Sequence, residues 1–372
     1  MQEFDYLVVG AGLTGATLAR KFAEIGKRVL VIDKREHIGG NTFDYLDHKT
    51  GIRLSKYGAH IFHTDNEEVW DFVNRFSHWL PYTHKVKSYV NDQFVPIPVN
   101  IETVNTLFGL HISNELEMKQ WLKSVQILNE PHNSRDSALA RVGKDLYELM
   151  FENYTKKQWD LYPEELEPSV MERIPVRTDF NERYFNNKYE GLPKDGYTEF
   201  VYNILDHNNI EVRLNAPYYK SFAEQFKKIF FTGRIDDYFA KKFGELEYRS
   251  LDFEYETLNQ ESFQLVPVVN YPSLNYDFTR IIEYKKFYDT KSPYTVIAKE
   301  YSSDVGEAYY PIPSPKNRKI YRQYQEEAKR LEKDGIYFAG RLAEYKYYNM
   351  DEAIASALNL FKQVYMNVNN IV

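Results

Sequence analysis

The chain opens with a short apolar run, a glycine turn and a helical stretch, which is the pattern of a βαβ unit. Tyr6 to Val9 predict a buried parallel strand, because no charged residue interrupts them. The glycines of residues 10–15 predict a turn into a helix, and Arg28 to Ile32 predict the next strand. We expect this unit to extend to about Phe76.

The middle of the chain changes from strand to helical periodicity. Lys85 to Asn91 and Gln93 to Pro98 predict two short strands that form a hairpin. From Asn100 to about Leu161, apolar residues recur at helical spacing, which predicts an inserted helical region. Three prolines then predict a loop from Leu161 to Thr178.

The last part of the chain returns to strands. After a helix that ends at Leu205, strands Glu211 to Leu214 and Lys228 to Thr232 resume the first domain. Residues from about 243 to 310 carry β-type runs such as Phe263 to Asn270 and predict an antiparallel sheet. A final strand, residues 335–339, precedes a terminal helix from about Asp351.

These elements predict an α/β protein with a Rossmann-like domain, an inserted α-helical bundle and an antiparallel β-sheet domain. The Rossmann-like domain is predicted to be discontinuous, from residues 1–80, 191–242 and 318–372. The helical bundle is predicted over residues 99–190, and the sheet domain over residues 81–98 and 243–317.

The composition of the chain excludes several classes of binding partner and site. The 372 residues carry a net charge of −7, and the 47 basic residues are interspersed with 54 acidic ones, so nucleic acid is not an expected partner. The absence of cysteine excludes disulfides, thiolate catalysis and cysteine-ligated zinc, and no metal site is expected. No stretch approaches the ~20 apolar residues of a membrane span, and we expect a cytoplasmic protein.

The glycine turn indicates a dinucleotide site. Gly10 makes the tight turn, Gly12 lets the backbone approach a pyrophosphate, and Gly15 lets the helix pack on the strand. Asp33 follows the second strand, where a carboxylate accepts from an adenosine ribose hydroxyl. Residues 39–41, Gly-Gly-Asn, favour FAD over NAD, because consecutive glycines offer N–H groups to a longer cofactor. An ordinary turn is the alternative.

Several longer motifs, beyond the glycine turn, match those of one known protein family. They occur at residues 33–41, 57–65, 154–159, 173–177, 191–197, 279–280, 309–312 and 340–342, with Tyr347. In this order they resemble the bacterial UDP-galactopyranose mutase family. The resemblance implies a non-redox ring contraction that interconverts UDP-galactopyranose and UDP-galactofuranose on reduced FAD, through a covalent adduct of the anomeric carbon with flavin N5. It also implies a cellular reductant, a homodimer and galactofuranose supply for cell-surface glycans.

The resemblance assigns roles by position in three groups. The implied catalytic residues are Arg173, Arg280, His63 and Tyr347. The implied substrate-binding residues are His84, Met150, Phe151, Tyr154, Thr155, Trp159, Tyr184, Asn270, Tyr310 and Asn349. The implied cofactor-binding residues are Gly10, Gly12, Leu13, Thr14, Gly15, Asp33, Lys34, Gly39, Gly40, Asn41, His60, Ile61, Arg341 and Met350.

Three positions in these groups depart from the common family pattern. Asn349 replaces a frequent aspartate, His84 a frequent asparagine and Met150 a frequent aromatic residue. They bear on the substrate range rather than on the reaction type, because both diphosphate arginines and the flavin motifs remain. Two other hypotheses stay open, a flavin oxidoreductase of the same broad fold and a UDP-sugar-binding protein without catalysis.

Overall fold

The computed structural model describes residues 4–128, 130–173 and 175–369, with side chains described up to residue 366. The strands are β1 (Tyr6–Val9), β2 (Val29–Ile32), β3 (Asp44–Leu46), β4 (Arg53–Ser55), β5 (Phe62–Thr64), β6 (Trp79–Pro81), β7 (Val86–Val90), β8 (Gln93–Ile97), β9 (Tyr189–Pro193), β10 (Ile210–Arg213), β11 (Lys228–Phe231), β12 (Tyr248–Leu258), β13 (Val268–Asn270), β14 (Arg280–Glu283), β15 (Thr295–Ser303), β16 (Tyr310–Pro311) and β17 (Ile336–Phe338). The helices are α1 (Leu13–Glu24), α2 (Glu67–Asn74), α3 (Ile101–Phe108), α4 (Glu115–Val125), α5 (Ser134–Leu146), α6 (Asn153–Trp159), α7 (Ser169–Glu172), α8 (Tyr197–Leu205), α9 (Lys220–Ala223), α10 (Ile235–Tyr238), α11 (Pro315–Leu331) and α12 (Met350–Asn369).

A five-stranded parallel sheet, in the order β10-β2-β1-β11-β17, forms the centre of the first domain. All residues of β1 and β2 are buried, as expected for strands covered on both faces. Helix α1 packs against α8 and α12 on one side of the chain's core. The sheet therefore joins sequence segments more than 300 residues apart, which agrees with the prediction that the chain returns to its first domain.

A second sheet has seven strands in the order β16-β12-β15-β14-β13-β7-β8. The predicted hairpin is confirmed as β7 and β8, which pair antiparallel. The predicted sheet is antiparallel except for one parallel pair, β13 with β7. The predicted run from Phe263 to Asn270 was wrong in length, because the Glu283 carboxylate accepts from the N–H groups of Phe263 and Gln264, at 3.0 and 2.9 Å, and no sheet ladder forms there.

The helical region contains α3 to α7, with a break that the periodicity did not predict. Gly143 has φ +76°, so the helical path of α5 is interrupted there. A π-helical turn follows at Tyr147–Glu152 and leads directly into α6. The predicted loop after Leu161 is largely irregular but holds the short helix α7, whose last residue precedes Arg173.

The predicted residue limits of the three domains stay predictions, because the positions of the sheets and helices do not define where one domain ends and the next begins. Within residues 4–128, 130–173 and 175–369, no helix is both long and apolar enough to cross a membrane. In the same described ranges, no group of three or more His, Cys, Asp or Glu residues is arranged to hold a metal ion.

Candidate active site

The glycine turn after β1 is packed too closely to accommodate side chains at Gly10 and Gly15. A Cβ on Gly15 would lie 1.9 Å from the Gly10 carbonyl oxygen, so glycine is required where α1 packs on the strand. Gly10 itself has φ +110°, a conformation that L side chains rarely adopt. Helix α1 begins at Leu13, and no capping side chain satisfies its first N–H groups within the described residues. This end of α1 is therefore suited to a pyrophosphate.

Asp33 holds the turn together from the end of β2. Its Oδ2 accepts from the Ala11 N–H at 2.8 Å, and its Oδ1 accepts from the Arg35 N–H at 2.9 Å. The Gly39 N–H donates to the Ala11 carbonyl at 2.9 Å. A Cβ on Gly40 would lie 3.0 Å from the Cα of Gly12. The two predicted glycine segments thus form one cradle, with no space for side chains between them.

The predicted cofactor residues of this cradle lie together but apart from the main cavity. They are Gly10, Gly12, Leu13, Thr14, Gly15, Asp33, Gly39 and Gly40, and the neighbouring Lys34 is exposed. Gly340 seals the other side, since a Cβ there would lie 2.7 Å from the Thr14 Oγ1. The geometry fits the pyrophosphate and adenosine portions of a dinucleotide.

A cavity of about 990 Å³ is lined by residues of the helical region and the seven-stranded sheet, and by Asn41 and Arg341, which adjoin the cradle. It is large enough for a flavin ring together with a nucleotide sugar. The predicted residues that line it are Asn41, His60, Ile61, His63, His84, Met150, Phe151, Tyr154, Trp159, Arg173, Tyr184, Asn270, Arg280, Tyr310, Arg341, Tyr347, Asn349 and Met350. Thr155 lies behind this wall, with 2% of its surface exposed.

Arg280 and Glu300 form a buried charge pair at the cavity wall. The two residues face each other across β14 and β15, with Arg280 Nε 3.0 Å from Glu300 Oε1. Burial is the largest single effect and disfavours the charge of Arg280, but Glu300 and the neighbouring Tyr154, Tyr184 and Tyr310 together outweigh it, so the pKa of Arg280 lies above its ordinary value. The guanidinium is thus held as a cation beside the cavity.

Arg173 also lines the cavity, from the segment after α7. Its Nη1 donates to the Tyr347 carbonyl at 3.1 Å, and its Nη2 donates to the Asn349 Oδ1 at 2.6 Å. The guanidinium also lies 4.0 Å from the ring centroid of Tyr347. The segment that carries Arg173 is therefore folded onto the chain just before α12, although Arg173 itself remains exposed.

Three aromatic rings form a wall between the two arginines. The ring centroids of Trp159, Tyr310 and Tyr347 lie 5.1 to 5.5 Å apart in edge-to-face arrangements. Burial raises the pKa of the Tyr310 hydroxyl well above its usual value, so the group stays a neutral donor. Such a hydroxyl can donate to an anionic ligand without adding charge.

Several buried polar atoms of the cavity lack a hydrogen-bond partner in the part of the chain that the structure describes. They include the Ser88 Oγ, the Asn270 Oδ1, the Tyr310 hydroxyl and the Asp351 Oδ1. Because buried polar atoms are normally paired, these atoms indicate that the cavity is built for a polar ligand.

The histidines at the cavity are kept neutral by burial. Burial lowers the pKa of His84 to about 3 and that of His60 to about 4. Burial also lowers the pKa of His63, which stacks on Phe185 with ring centroids 3.7 Å apart and contacts the Asn187 Oδ1 at 2.9 Å. A neutral imidazole has one ring nitrogen that donates and one that accepts a hydrogen bond, so these rings can contact a ligand without adding charge to the site.

Sequence reasoning missed Glu300, Asp351 and Phe185, which all line the cavity. Glu300 had one available signal, its position in the β-type run that pairs with the strand beginning at Arg280. Asp351 was predicted as the start of the terminal helix, but its side chain was assigned no role. Phe185 had no local signal, because its stacking on His63 joins residues 122 positions apart, as 185 − 63 shows.

Comparison with known proteins identifies the family. A family model described as UDP-galactopyranose mutase matches residues 149–347, and one described as an NAD(P)-binding Rossmann-like domain matches residues 8–76. A probable UDP-galactopyranose mutase of Klebsiella pneumoniae is 39% identical over 100% of this chain and 97% of its own. The chain belongs to the UDP-galactopyranose mutase family.

The relatives of this UDP-galactopyranose mutase family member do not all carry the same substrate name. A dTDP-fucopyranose mutase of Escherichia coli is 38% identical, with 98% of each chain covered. Among solved structures, reduced UDP-galactopyranose mutase aligns with a TM-score of 0.75 at 15% identity, over 97% of this chain and 95% of that one. The solved structure supports the fold, and the family membership implies a flavin.

Proposed function

We propose that this chain is an isomerase that interconverts UDP-galactopyranose and UDP-galactofuranose, with reduced FAD as its cofactor. The observation that carries this proposal is one cavity that holds two arginines, a tyrosine wall and unpartnered buried polar atoms, next to a glycine cradle for a dinucleotide. This combination fits a diphosphate-linked sugar placed against a flavin. The family membership supports the same reaction.

The residues present fit FAD. The glycine cradle and the start of α1 would hold its pyrophosphate, Asp33 its adenosine ribose, and His60, Ile61 and Met350 its ring system. Arg341 lines the cavity together with His60, Ile61 and Met350. Its guanidinium donates to the carbonyls of Tyr309 and Tyr348. When bound and reduced, FAD supplies a nucleophile for the anomeric carbon of the sugar.

The two arginines hold the diphosphate while the glycosidic bond breaks and reforms. Arg280 is held in place by its ion pair with Glu300, and Arg173 by its hydrogen bond to Asn349 at the edge of the cavity. Negative charge grows on the diphosphate as it leaves, so guanidinium donors stabilise that state more than the bound substrate. Because the detached nucleotide must re-form the bond to the anomeric carbon, it has to stay bound until that return attack.

The base and ribose are assigned to the helical side of the cavity. Phe151 and Tyr154 lie on the π-helical turn and on α6, where an aromatic face can stack on a pyrimidine. Asn270 lies on β13 with an unpartnered Oδ1, which can accept a hydrogen bond from a base or ribose. We propose that Tyr184, Trp159 and Met150 complete this wall.

A dTDP-6-deoxyhexose such as dTDP-fucopyranose is the second candidate substrate. One relative with that substrate name is almost as similar to this chain as the UDP-galactopyranose mutase relative, at 38% against 39% identity. In addition, His84 is 4% exposed and already contacts the Tyr82 hydroxyl through Nδ1 at 3.3 Å. It therefore offers less hydrogen-bonding capacity to a sugar hydroxyl than asparagine would.

A direct comparison of substrates tests the proposal. The purified protein is reduced with dithionite and incubated separately with UDP-galactofuranose and dTDP-fucofuranose, and the pyranose products are separated by chromatography. We expect higher kcat/KM for the UDP sugar. A higher value for the dTDP sugar supports the second candidate. Net oxidation of the sugar supports a flavin oxidoreductase, and binding of UDP without isomerisation supports a non-catalytic binding protein.

We further propose that the enzyme is a cytoplasmic homodimer, that a cellular reductant keeps its FAD reduced, and that its product enters cell-surface polysaccharides. The family resemblance supports these statements. Light scattering after size-exclusion chromatography tests the dimer, which would give twice the 44.2 kDa mass of one chain.

A further inference from the structure

The ammonium group of Lys157 is surrounded by four backbone carbonyl oxygens. Its Nζ donates to the carbonyl oxygen of Tyr271, and to those of Ser273 at 3.0 Å, Tyr276 at 3.1 Å and Phe278 at 2.9 Å. All four carbonyls belong to one loop, residues 271–278, which connects β13 to β14. An ammonium group has three N–H donors, so this side chain directs its whole donor capacity at one loop.

Both ends of this loop carry a residue of the candidate active site. Asn270 ends β13 directly before the loop, and Arg280 begins β14 just after it. The base of the loop is closed by the Tyr271 N–H, which donates to the Thr279 carbonyl at 2.9 Å. A change in the loop would therefore displace Asn270 and Arg280 together.

Lys157 itself stands on the helix that lines the other side of the nucleotide site. Helix α6 carries Tyr154 one turn before Lys157 and Trp159 two residues after it, and both line the cavity. The ammonium group thus links this helix to the loop that lies between Asn270 and Arg280. We propose that Lys157 is a positioning residue that keeps α6 and loop 271–278 at the spacing a nucleoside diphosphate requires.

A protonated lysine is well suited to this position. The four carbonyl dipoles point their negative ends at its charge, which favours the ammonium form. Burial lowers the pKa of Lys157 to about 8, so the group is still mostly protonated at pH 7. A side chain without N–H donors would leave these four carbonyl oxygens without a hydrogen-bond donor. The loop would then move away from α6.

The test compares three variants of the flavin-loaded protein. Lys157→Met keeps the length of the side chain and removes its donors, and Lys157→Arg keeps the charge in a wider planar group. Lys156→Met is the matched control, because Lys156 is on the same helix and bonds to Asp160 at 2.8 and 2.9 Å, away from the loop. The measurements are the dissociation constants of UDP and dTDP by calorimetry, the flavin content, the thermal midpoint, and KM and kcat.

This inference rests on the proposed function, and the outcomes separate the two. We expect Lys157→Met to weaken nucleotide binding and raise KM by at least about tenfold, Lys157→Arg to lie between it and wild type, and Lys156→Met to match wild type. Flavin content should not change. Wild-type nucleotide affinity in Lys157→Met would overturn the inference alone, as would an equal loss of flavin and nucleotide. A wild-type protein that binds neither nucleotide would overturn the proposed function as well.

Discussion

Replacing Arg173 by alanine isolates the contribution of the exposed arginine. A charged hydrogen bond contributes about 1.5–3 kcal/mol, so two bonds from one guanidinium to a diphosphate contribute roughly 3–6 kcal/mol. In the free protein Arg173 already donates to Asn349 and to the Tyr347 carbonyl, and these bonds must be exchanged when substrate binds. The net loss is then about 3 kcal/mol, which corresponds to a decrease of roughly 100-fold in kcat/KM.

The assay is steady-state isomerisation of UDP-galactofuranose by the reduced protein. Flavin content should be unchanged, and the free energy of unfolding should change by less than about 1 kcal/mol, because Arg173 is exposed. Arg322→Ala, an exposed position on α11, serves as the control and should retain full activity. If Arg173→Ala had wild-type kcat/KM, the assignment of this residue to the diphosphate would be wrong.

Three further changes test other parts of the site. Gly15→Ala places a Cβ 1.9 Å from the Gly10 carbonyl oxygen and should abolish flavin binding measured at 450 nm, whereas Gly26→Ala, with nothing within 4 Å, should cost about 1 kcal/mol of stability and retain flavin. The pKa of His84 is about 3 in the fold and 6.5 unperturbed, so its contribution to stability is present above pH 6.5 and is lost as the pH falls towards 3. His84→Asn should therefore reduce the loss of unfolding free energy between pH 7 and pH 5, measured with urea, by about 2 kcal/mol, and an unchanged loss would contradict the buried neutral ring. Asn349→Asp places a carboxylate where Arg173 now donates at 2.6 Å, and calorimetry should show several-fold weaker UDP binding that recovers partly in high salt; tighter binding would refute this reasoning.

The cradle could be predicted from the sequence because its determinants are local. Positive φ at Gly10 and close packing at Gly15 follow from glycine at fixed spacings, and Asp33 follows from its place after β2. The cavity residues were predicted through the family motifs, and most of them do line one cavity. Periodicity alone would have assigned Phe151 and Tyr154 to core packing.

Other features depend on contacts between distant segments and have no local signal. The break of α5 at Gly143 arises where a Cβ would lie 2.5 Å from the Val125 carbonyl oxygen of the preceding helix. The carbonyl cluster around Lys157 joins residues more than 110 positions apart along the chain. A single lysine in a helical pattern is ordinarily a surface residue, so its position under a loop could not be predicted.

Isomerisation with and without prior reduction decides whether the reaction requires reduced FAD. The purified protein is incubated with UDP-galactofuranose in the oxidised state and again after reduction with dithionite, and both the sugar nucleotides and the flavin absorbance are followed. We expect UDP-galactopyranose to form with the reduced protein and not with the oxidised protein, while the sugar gains or loses no electrons. Equal turnover by the oxidised protein, or stoichiometric oxidation of the sugar, would contradict it.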